Sequence, residues 1–138
     1  MIKKYYFDTS IWLDFFEERD ELHFPKGKRA KILLELIVQE NHEILCSDVV
    51  FLELKSLGHA FFEIEKMFRY LLPVIHIVKS TEKQKKRSRD LAAKRKIPRG
   101  DALHALIARD AKAILVTRDK DFQKLLDITI PKKPEELI

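Results

Sequence analysis

The chain has 138 residues, 46% hydrophobic and 36% charged, which is long enough for one hydrophobic core without covalent or metal staples. Cys46 is the sole cysteine, so a disulfide framework and a Cys-rich zinc site are excluded and a reducing, cytoplasmic setting is expected. No run approaches the roughly 18 apolar residues of a membrane span, and a formal net charge of +5 with a pI of about 9.3 favours an anionic partner.

Three glycines and five prolines leave little room for disorder or long linkers. The opening Met1-Ile2-Lys3-Lys4 runs straight into a strand pattern and lacks the apolar stretch and cleavage site of a signal peptide. Residues 2–7 alternate and end in aromatics, as a buried strand does. Ile11 to Phe16 form the apolar face of a short helix, and Leu22 to Lys28, with Pro25 and Gly27, read as a loop. Ala30 to Gln39 carry Ile32, Leu33, Leu36 and Ile37 at helical spacing. A short strand over Glu43 to Cys46 leads to Ser47, an N-cap for the helix that carries Asp48 and Glu53, and Gly58 ends or bends that helix.

Ala60 to Leu72 are mostly apolar and helical, stopped by Pro73, with a strand over Val74 to Val78. Ser80 or Thr81 caps a long charged helix running to about Lys96, and Ile97-Pro98 breaks it. Asp101 to Ala111 form the next helix, with Ala102, Leu103, Ala105, Leu106 and Ile107 as its core face. A strand over 113–116, a short helix over Asp119 to Leu126 and an edge strand over Ile128 to Ile130 complete the chain. Strands separated by helical segments argue for an α/β fold with a central parallel sheet covered on both faces. There is no internal repeat, low-complexity tract or domain boundary, so a single unit over residues 1–138 is expected.

Four acids stand where strands end or helices begin. Asp8 closes the first strand and is followed by Thr9 and Ser10; Asp119 follows the strand 113–116 and Thr117; Asp101 opens a helix; Glu53 lies among Val49, Val50, Phe51, Leu52 and Leu54. In open parallel sheets, ligands gather beyond the carboxyl ends of the strands. Carboxylates delivered there suit a hard cation such as Mg²⁺ or Mn²⁺ rather than zinc. Each acid also has a plain structural use. Asp8 and Asp119 sit at helix-cap positions, and Asp101 suits the dipole of a helix start. A Glu53 buried among apolar neighbours requires a metal or a salt bridge to Lys55 or another base. Asp121, two residues after Asp119, is an alternative fourth acid.

Four blocks together resemble a known family. Tyr6-Phe7-Asp8-Thr9-Ser10-Ile11-Trp12, Ser47-Asp48-Val49-Val50-Phe51-Leu52-Glu53-Leu54, Arg99-Gly100-Asp101-Ala102-Leu103-His104-Ala105-Leu106-Ile107-Ala108 and Leu115-Val116-Thr117-Arg118-Asp119-Lys120-Asp121-Phe122 occur in the order seen in PIN domains. They span nearly the whole chain, whose length is similar to that of VapC-type toxin endoribonucleases. The resemblance implies a three-layer, Rossmann-like α/β/α fold, Mg²⁺ or Mn²⁺ dependence, hydrolysis of RNA phosphodiesters, often a homodimer, and a cognate antitoxin partner. Carried over by position, the acidic site is Asp8, Glu53, Asp101 and Asp119, with Thr117, Ser10 and Asp121 in support. Ser10 stands where many relatives have asparagine, which affects a secondary contact.

Residues 83–99 are densely basic. Lys85, Lys86, Arg87, Arg89 and Arg99 are candidates for RNA phosphate contacts, which give affinity without sequence readout; a merely solvated helix face is the competing use. Of the five histidines none pairs at metal-ligand spacing. His104, three residues after Asp101, is placed to support an acid. A covalent phosphatase of the haloacid dehalogenase type needs an aspartate where Ser10 stands, and a receiver-like phosphoacceptor needs a different order of acids and lysine. The remaining alternatives to a toxin nuclease are a non-catalytic basic RNA-binding module and a stand-alone PIN nuclease of RNA processing.

Overall fold

A computed structural model describes all 138 residues. Its centre is a four-stranded sheet in the order β5-β4-β1-β6, with β1 at Lys4–Phe7, β4 at Glu43–Ser47, β5 at Ile75–Val78 and β6 at Ile114–Val116. Every pair is parallel, with Tyr5 opposite Ile44 on one side and Ile114 on the other. Parallel strands need crossovers, and helices supply them: α1 (Thr9–Phe16), α2 (Lys26–Gln39), α3 (Asp48–Ser56), α4 (Phe61–Tyr70), α5 (Glu82–Arg95) and α6 (Arg99–Asp110). A two-residue antiparallel ladder, β2 (Asp20–Glu21) with β3 (Phe24–Pro25), precedes α2.

Both sheet faces are covered, which is why Tyr5, Tyr6 and Phe7 are all buried although neighbouring strand residues point to opposite sides. Phe7 meets Trp12 of α1 at 5.3 Å between ring centroids, whereas Tyr6 meets His104 of α6 at 5.6 Å. Helices α1 and α6 therefore lie in opposite layers. Residues 102–108 of α6 are buried without interruption, because the helix is enclosed by the sheet on one side and α5 on the other. This is the α/β/α arrangement expected from the alternation of elements.

Three local expectations are corrected. The segment Leu22 to Lys28 is not a plain loop, since Phe24 and Pro25 pair with Asp20 and Glu21 and α2 begins at Lys26. Gly27 serves close packing there: a Cβ on it would stand 2.8 Å from the backbone oxygen of Asp14. The segment Ile128 to Ile130 is not a strand. The amides of Ile128 and Thr129 turn back to the oxygen of Leu125, and the β6 edge is extended instead by a single bridge at Lys132. The expected helix over Asp119 to Leu126 is a 3-10 helix over Lys120–Leu125. Of the two possible caps of α5, Thr81 forms the capping box with Gln84, while Ser80 binds Asp48. No helix is long and apolar enough to cross a membrane.

In chain order the four main strands stand 3-2-1-4, so the winding reverses between β1 and β6. The crevice beyond the carboxyl ends of strands at such a reversal is where open α/β sheets bind ligands. Asp8 follows β1 and Thr117 follows β6, and both therefore reach this crevice.

Candidate active site

Three carboxylates converge at the crevice. Asp101, Asp119 and Asp121 each bring an oxygen to within 4.8 Å of the other two. Asp101 comes from the first turn of α6, after Pro98 and Gly100; Asp119 and Asp121 come from the turn that follows β6. Both candidates for the fourth acid thus face Asp101. Asp119 also caps the 3-10 helix, its Oδ1 accepting from the Asp121 amide at 2.9 Å, so its capping and cluster placements coexist.

Asp8 lies beside this trio, buried and fully engaged. Its Oδ1 accepts from Ser10 Oγ at 2.7 Å and from the Ile11 amide at 3.2 Å, which caps α1. Its Oδ2 accepts from Thr117 Oγ1 at 2.5 Å, and Thr117 Oγ1 in turn accepts from the Asp119 amide at 3.0 Å. Thr117 therefore ties the end of β1 to the turn carrying Asp119. Burial pushes the Asp8 carboxyl up, against the lowering effects of His104, Thr117, Ser10 and the Ile11 amide.

Between Thr117 and Asp119, Arg118 turns away from the acids. It stacks over the Phe24 ring at 4.7 Å, pairs with Glu135 at 2.7 Å and approaches Asp14 at 3.8 Å. The C-terminal turn and the β2–β3 ladder thereby anchor the backbone that presents Asp119.

Glu53 stands apart from the trio. It is 40% exposed at the side chain, not deeply buried, and its base is His104 rather than Lys55: Oε1 lies 2.6 Å from His104 Nε2. Burial would raise the Glu53 carboxyl, but side-chain hydrogen bonds from His104 and Thr9 hold it below the usual carboxylate range. A Cβ on Gly100 would sit 3.6 Å from Glu53 Oε2, so the Glu53 carboxylate packs in van der Waals range of the residue that precedes Asp101.

The electrostatic centre of the site is Asp101. Its carboxyl is pushed up to about 8, first by burial, then by the negative charges of Asp119 and Asp8. Its Oδ2 is buried with no hydrogen-bond partner. Buried polar oxygens are normally satisfied, and an oxygen-only donor set with one unpartnered carboxylate atom fits a hard divalent cation such as Mg²⁺ or Mn²⁺. The trio contains no His or Cys, as zinc or copper would favour.

The candidate RNA contacts divide between two places. Helices α5 and α6 form an antiparallel hairpin, since Gln84 at the start of α5 binds Asp110 at the end of α6 at 2.9 Å. Arg99, exposed, lies at the acidic end of that hairpin. Lys85, Lys86, Arg87 and Arg89 belong to the other half of α5; Lys85 is partly engaged with Glu82 at 3.4 Å, and the other three are exposed.

Two contributors were not assigned a part in the site from sequence. Tyr6 OH lies 2.6 Å from His104 Nδ1 and 2.7 Å from Ser47 Oγ, inside the sheet–helix layer. Nothing in the local pattern marks Tyr6 as more than a core aromatic, and Ser47 reads only as a helix cap.

The sequence matches the PIN domain family over residues 5–126. No curated protein matches it significantly. Among solved structures, VapBC2 from Rickettsia felis, bound to a promoter DNA fragment, is similar with a TM-score of 0.66 and 20% identity, over 94% of this chain and 98% of that one. A toxin–antitoxin complex from Klebsiella pneumoniae is similar at 0.64 and 26% identity, over 94% and 97%. FitAcB from Neisseria gonorrhoeae is similar at 0.63 and 18% identity, over 99% and 100%. With the family match spanning most of its length and its acids gathered at the β1–β6 crevice, this chain belongs to the PIN domain family.

Proposed function

We propose that this protein is a metal-dependent endoribonuclease, the toxin of a VapBC-type toxin–antitoxin pair. The observation that carries the reading is the convergence of Asp101, Asp119 and Asp121 beside Asp8, with Asp101 Oδ2 buried and unpartnered. Asp101, Asp119 and Asp121 would hold Mg²⁺ or Mn²⁺, with Asp8 completing the negative field. When bound, the cation supplies Lewis-acid charge neutralisation at a phosphodiester. The protein's own groups do the rest. Thr117 holds Asp8 and the Asp119 turn in register, Glu53 completes the carboxylate cage from α3 and orders an attacking water, and Arg99 steers the RNA backbone toward Asp101. No serine, cysteine or histidine nucleophile is required: the water oxygen forms a bond to phosphorus, the bond from phosphorus to a ribose oxygen breaks, and the proton released by the water is balanced by the one taken up by the departing ribose oxygen.

The structural relatives solved as toxin–antitoxin complexes support a protein partner. A groove of about 890 Å³ between α1, α2 and α4, lined by Phe16, Val38, Phe62, Met67 and Tyr70, is the apolar surface on which an antitoxin segment would seat. A second copy of the chain would use the β5 edge, where Leu52, Phe61 and Ile77 are exposed. Cytoplasmic residence accords with an RNA substrate.

The deciding experiment is cleavage of a labelled single-stranded RNA with Mg²⁺ or Mn²⁺, and again with EDTA. Cleavage that disappears on chelation is expected. RNA that binds but stays intact under both conditions would leave the basic RNA-binding module in its place.

A further inference from the structure

We propose that Ser47, Tyr6 and His104 form a hydrogen-bonded relay that holds Glu53 as an oriented carboxylate at the acidic site, with His104 as a positioning residue whose tautomer is set by Tyr6. The inference rests on the metal-centre reading above and extends it to residues that touch neither metal nor RNA.

The geometry comes from four elements: Ser47 ends β4, Tyr6 lies in β1, His104 in α6 and Glu53 in α3. Ser47 Oγ to Tyr6 OH is 2.7 Å, Tyr6 OH to His104 Nδ1 is 2.6 Å, and His104 Nε2 to Glu53 Oε1 is 2.6 Å. Tyr6 and Ser47 are fully buried and His104 is 2% exposed. Buried groups of this kind must find partners inside the protein.

Counting hydrogens leaves one neutral arrangement in which every donor is used. Ser47 Oγ already accepts from the Val50 amide at 3.2 Å, so its own hydrogen is free to go to Tyr6 OH. The single Tyr6 hydrogen then goes to Nδ1. That makes Nδ1 the acceptor and puts the imidazole hydrogen on Nε2, where it donates to the acceptor-only carboxylate of Glu53. In the reverse arrangement Nδ1–H donates to Tyr6, and a bare Nε2 lone pair faces the Glu53 oxygen at 2.6 Å, which is repulsive. Thr9 Oγ1, 3.4 Å from Nε2, borders the same contact.

The functional consequence lies in Glu53 Oε2. With Oε1 held by His104, the carboxylate loses its freedom to rotate and stays against Gly100, the residue before Asp101, with both oxygens within 3.7 Å of where a Cβ on that glycine would stand. Groups that bind a ligating carboxylate commonly change metal affinity by about 10–100-fold when removed. Helix α6 thereby carries both Asp101 and, three residues on, the donor that aims the acid of α3.

The test uses the full chain, Mn²⁺ binding by calorimetry without RNA, and ¹⁵N spectra of the histidine ring. Glutamine at 104 places an N–H close to the position of Nε2, whereas asparagine reaches only the position of Nδ1. We expect His104→Asn and Tyr6→Phe to weaken Mn²⁺ binding by about 10-fold and His104→Gln to stay within about 3-fold of wild type. The His104 spectrum of wild type should show a protonated Nε2 and a bare Nδ1, with the preference relaxed in Tyr6→Phe. Should His104→Asn fail to fold, Tyr6→Phe, which removes one oxygen, carries the comparison. Wild-type affinity in all the folded variants, equal weakening by glutamine and asparagine, or a protonated Nδ1 with a bare Nε2 in wild type would each overturn the relay while leaving the acidic site standing. A wild type that binds no Mn²⁺ would overturn the metal reading and the relay's role with it.

Discussion

The two ends of α6 are chemically opposite. Its N-terminal end places Asp101 against Asp119 and Asp121, with Asp8 behind them. Its C-terminal end, about 14 Å away by helical rise, carries Arg109 and Asp110 in a hollow shared with Lys83, Lys86 and Arg87 of α5. At the first end like charges are crowded and partly buried, and one carboxylate oxygen has no partner. At the second, Asp90 and Asp110 stand among the cations and Arg109 pairs with Asp110 at 3.0 Å. An uncompensated cluster stores a capacity for a cation, whereas a mixed, exposed one costs little and binds polyanions loosely.

The largest expected effect is at the acidic end. Asp101→Asn should lower RNA cleavage by about 100-fold or more, since it removes a central oxygen donor from the candidate metal set. Asp8→Asn should also abolish most activity. Circular dichroism should show both variants folded, and near-native turnover in either would remove that residue from the mechanism.

The same end predicts an unusual pH response of the metal-free protein. The Asp101 carboxyl is raised to about 8 in the fold, above its ordinary 3.8. Between these values the folded state keeps a proton that the unfolded chain releases, so stability falls as pH rises through this window. In EDTA, Asp101→Asn should melt a few degrees above wild type at pH 8, with the gap closing toward pH 4. Mn²⁺ at pH 8 should raise the wild-type melting temperature by mass action and the variant much less. A variant that is less stable in EDTA and responds fully to Mn²⁺ would mean that Asp101 is only a helix-start residue.

A smaller effect should follow at the link between strands. Thr117→Val keeps the shape but leaves the buried Asp8 Oδ2 without its donor, costing about 1–3 kcal/mol. For a chain of this length that is a fall of about 3–9 °C in melting temperature. Calorimetry in EDTA and again in Mn²⁺ measures it, and an unchanged melt would show that the Asp8–Thr117 contact carries no stability.

The smallest effect belongs to the basic side. Replacing Lys85, Lys86, Arg87 and Arg89 with glutamine should weaken RNA binding for all sequences. The slope of log K against log salt should flatten by about three units at most, and turnover at saturating RNA should stay as in wild type. Arg99→Gln, at the acidic end, should instead lower turnover. If the four-residue variant keeps the wild-type slope, this half of α5 is a solvated face.

Much of the architecture was legible locally. Alternation and breakers located the main strands and helices because each is an amphipathic or buried element with its own period. The acids were visible as polar residues at the edges of apolar runs. The strand expected at Ile128 to Ile130 failed because its apolar, β-branched residues carry no sign that their amides are spent on the preceding turn. Gly27 read as a loop residue because the contact that demands a glycine lies 13 positions earlier, at Asp14.

The sequence by itself determined the alternation of strand and helix, the positions of the acids and the caps at Ser47 and Asp8, all set by residues within a few positions of one another. Only the tertiary structure decided that β1 and β6 are neighbours across the reversal in strand order. It also decided that Asp121 joins Asp119 at Asp101 and that Glu53 takes His104 as its partner rather than Lys55. Those outcomes depend on pairings between residues 51 to 109 positions apart, such as Glu53 with His104 and Asp8 with Thr117. Local propensity carries no information about them, because they follow from which apolar faces bury against the same sheet.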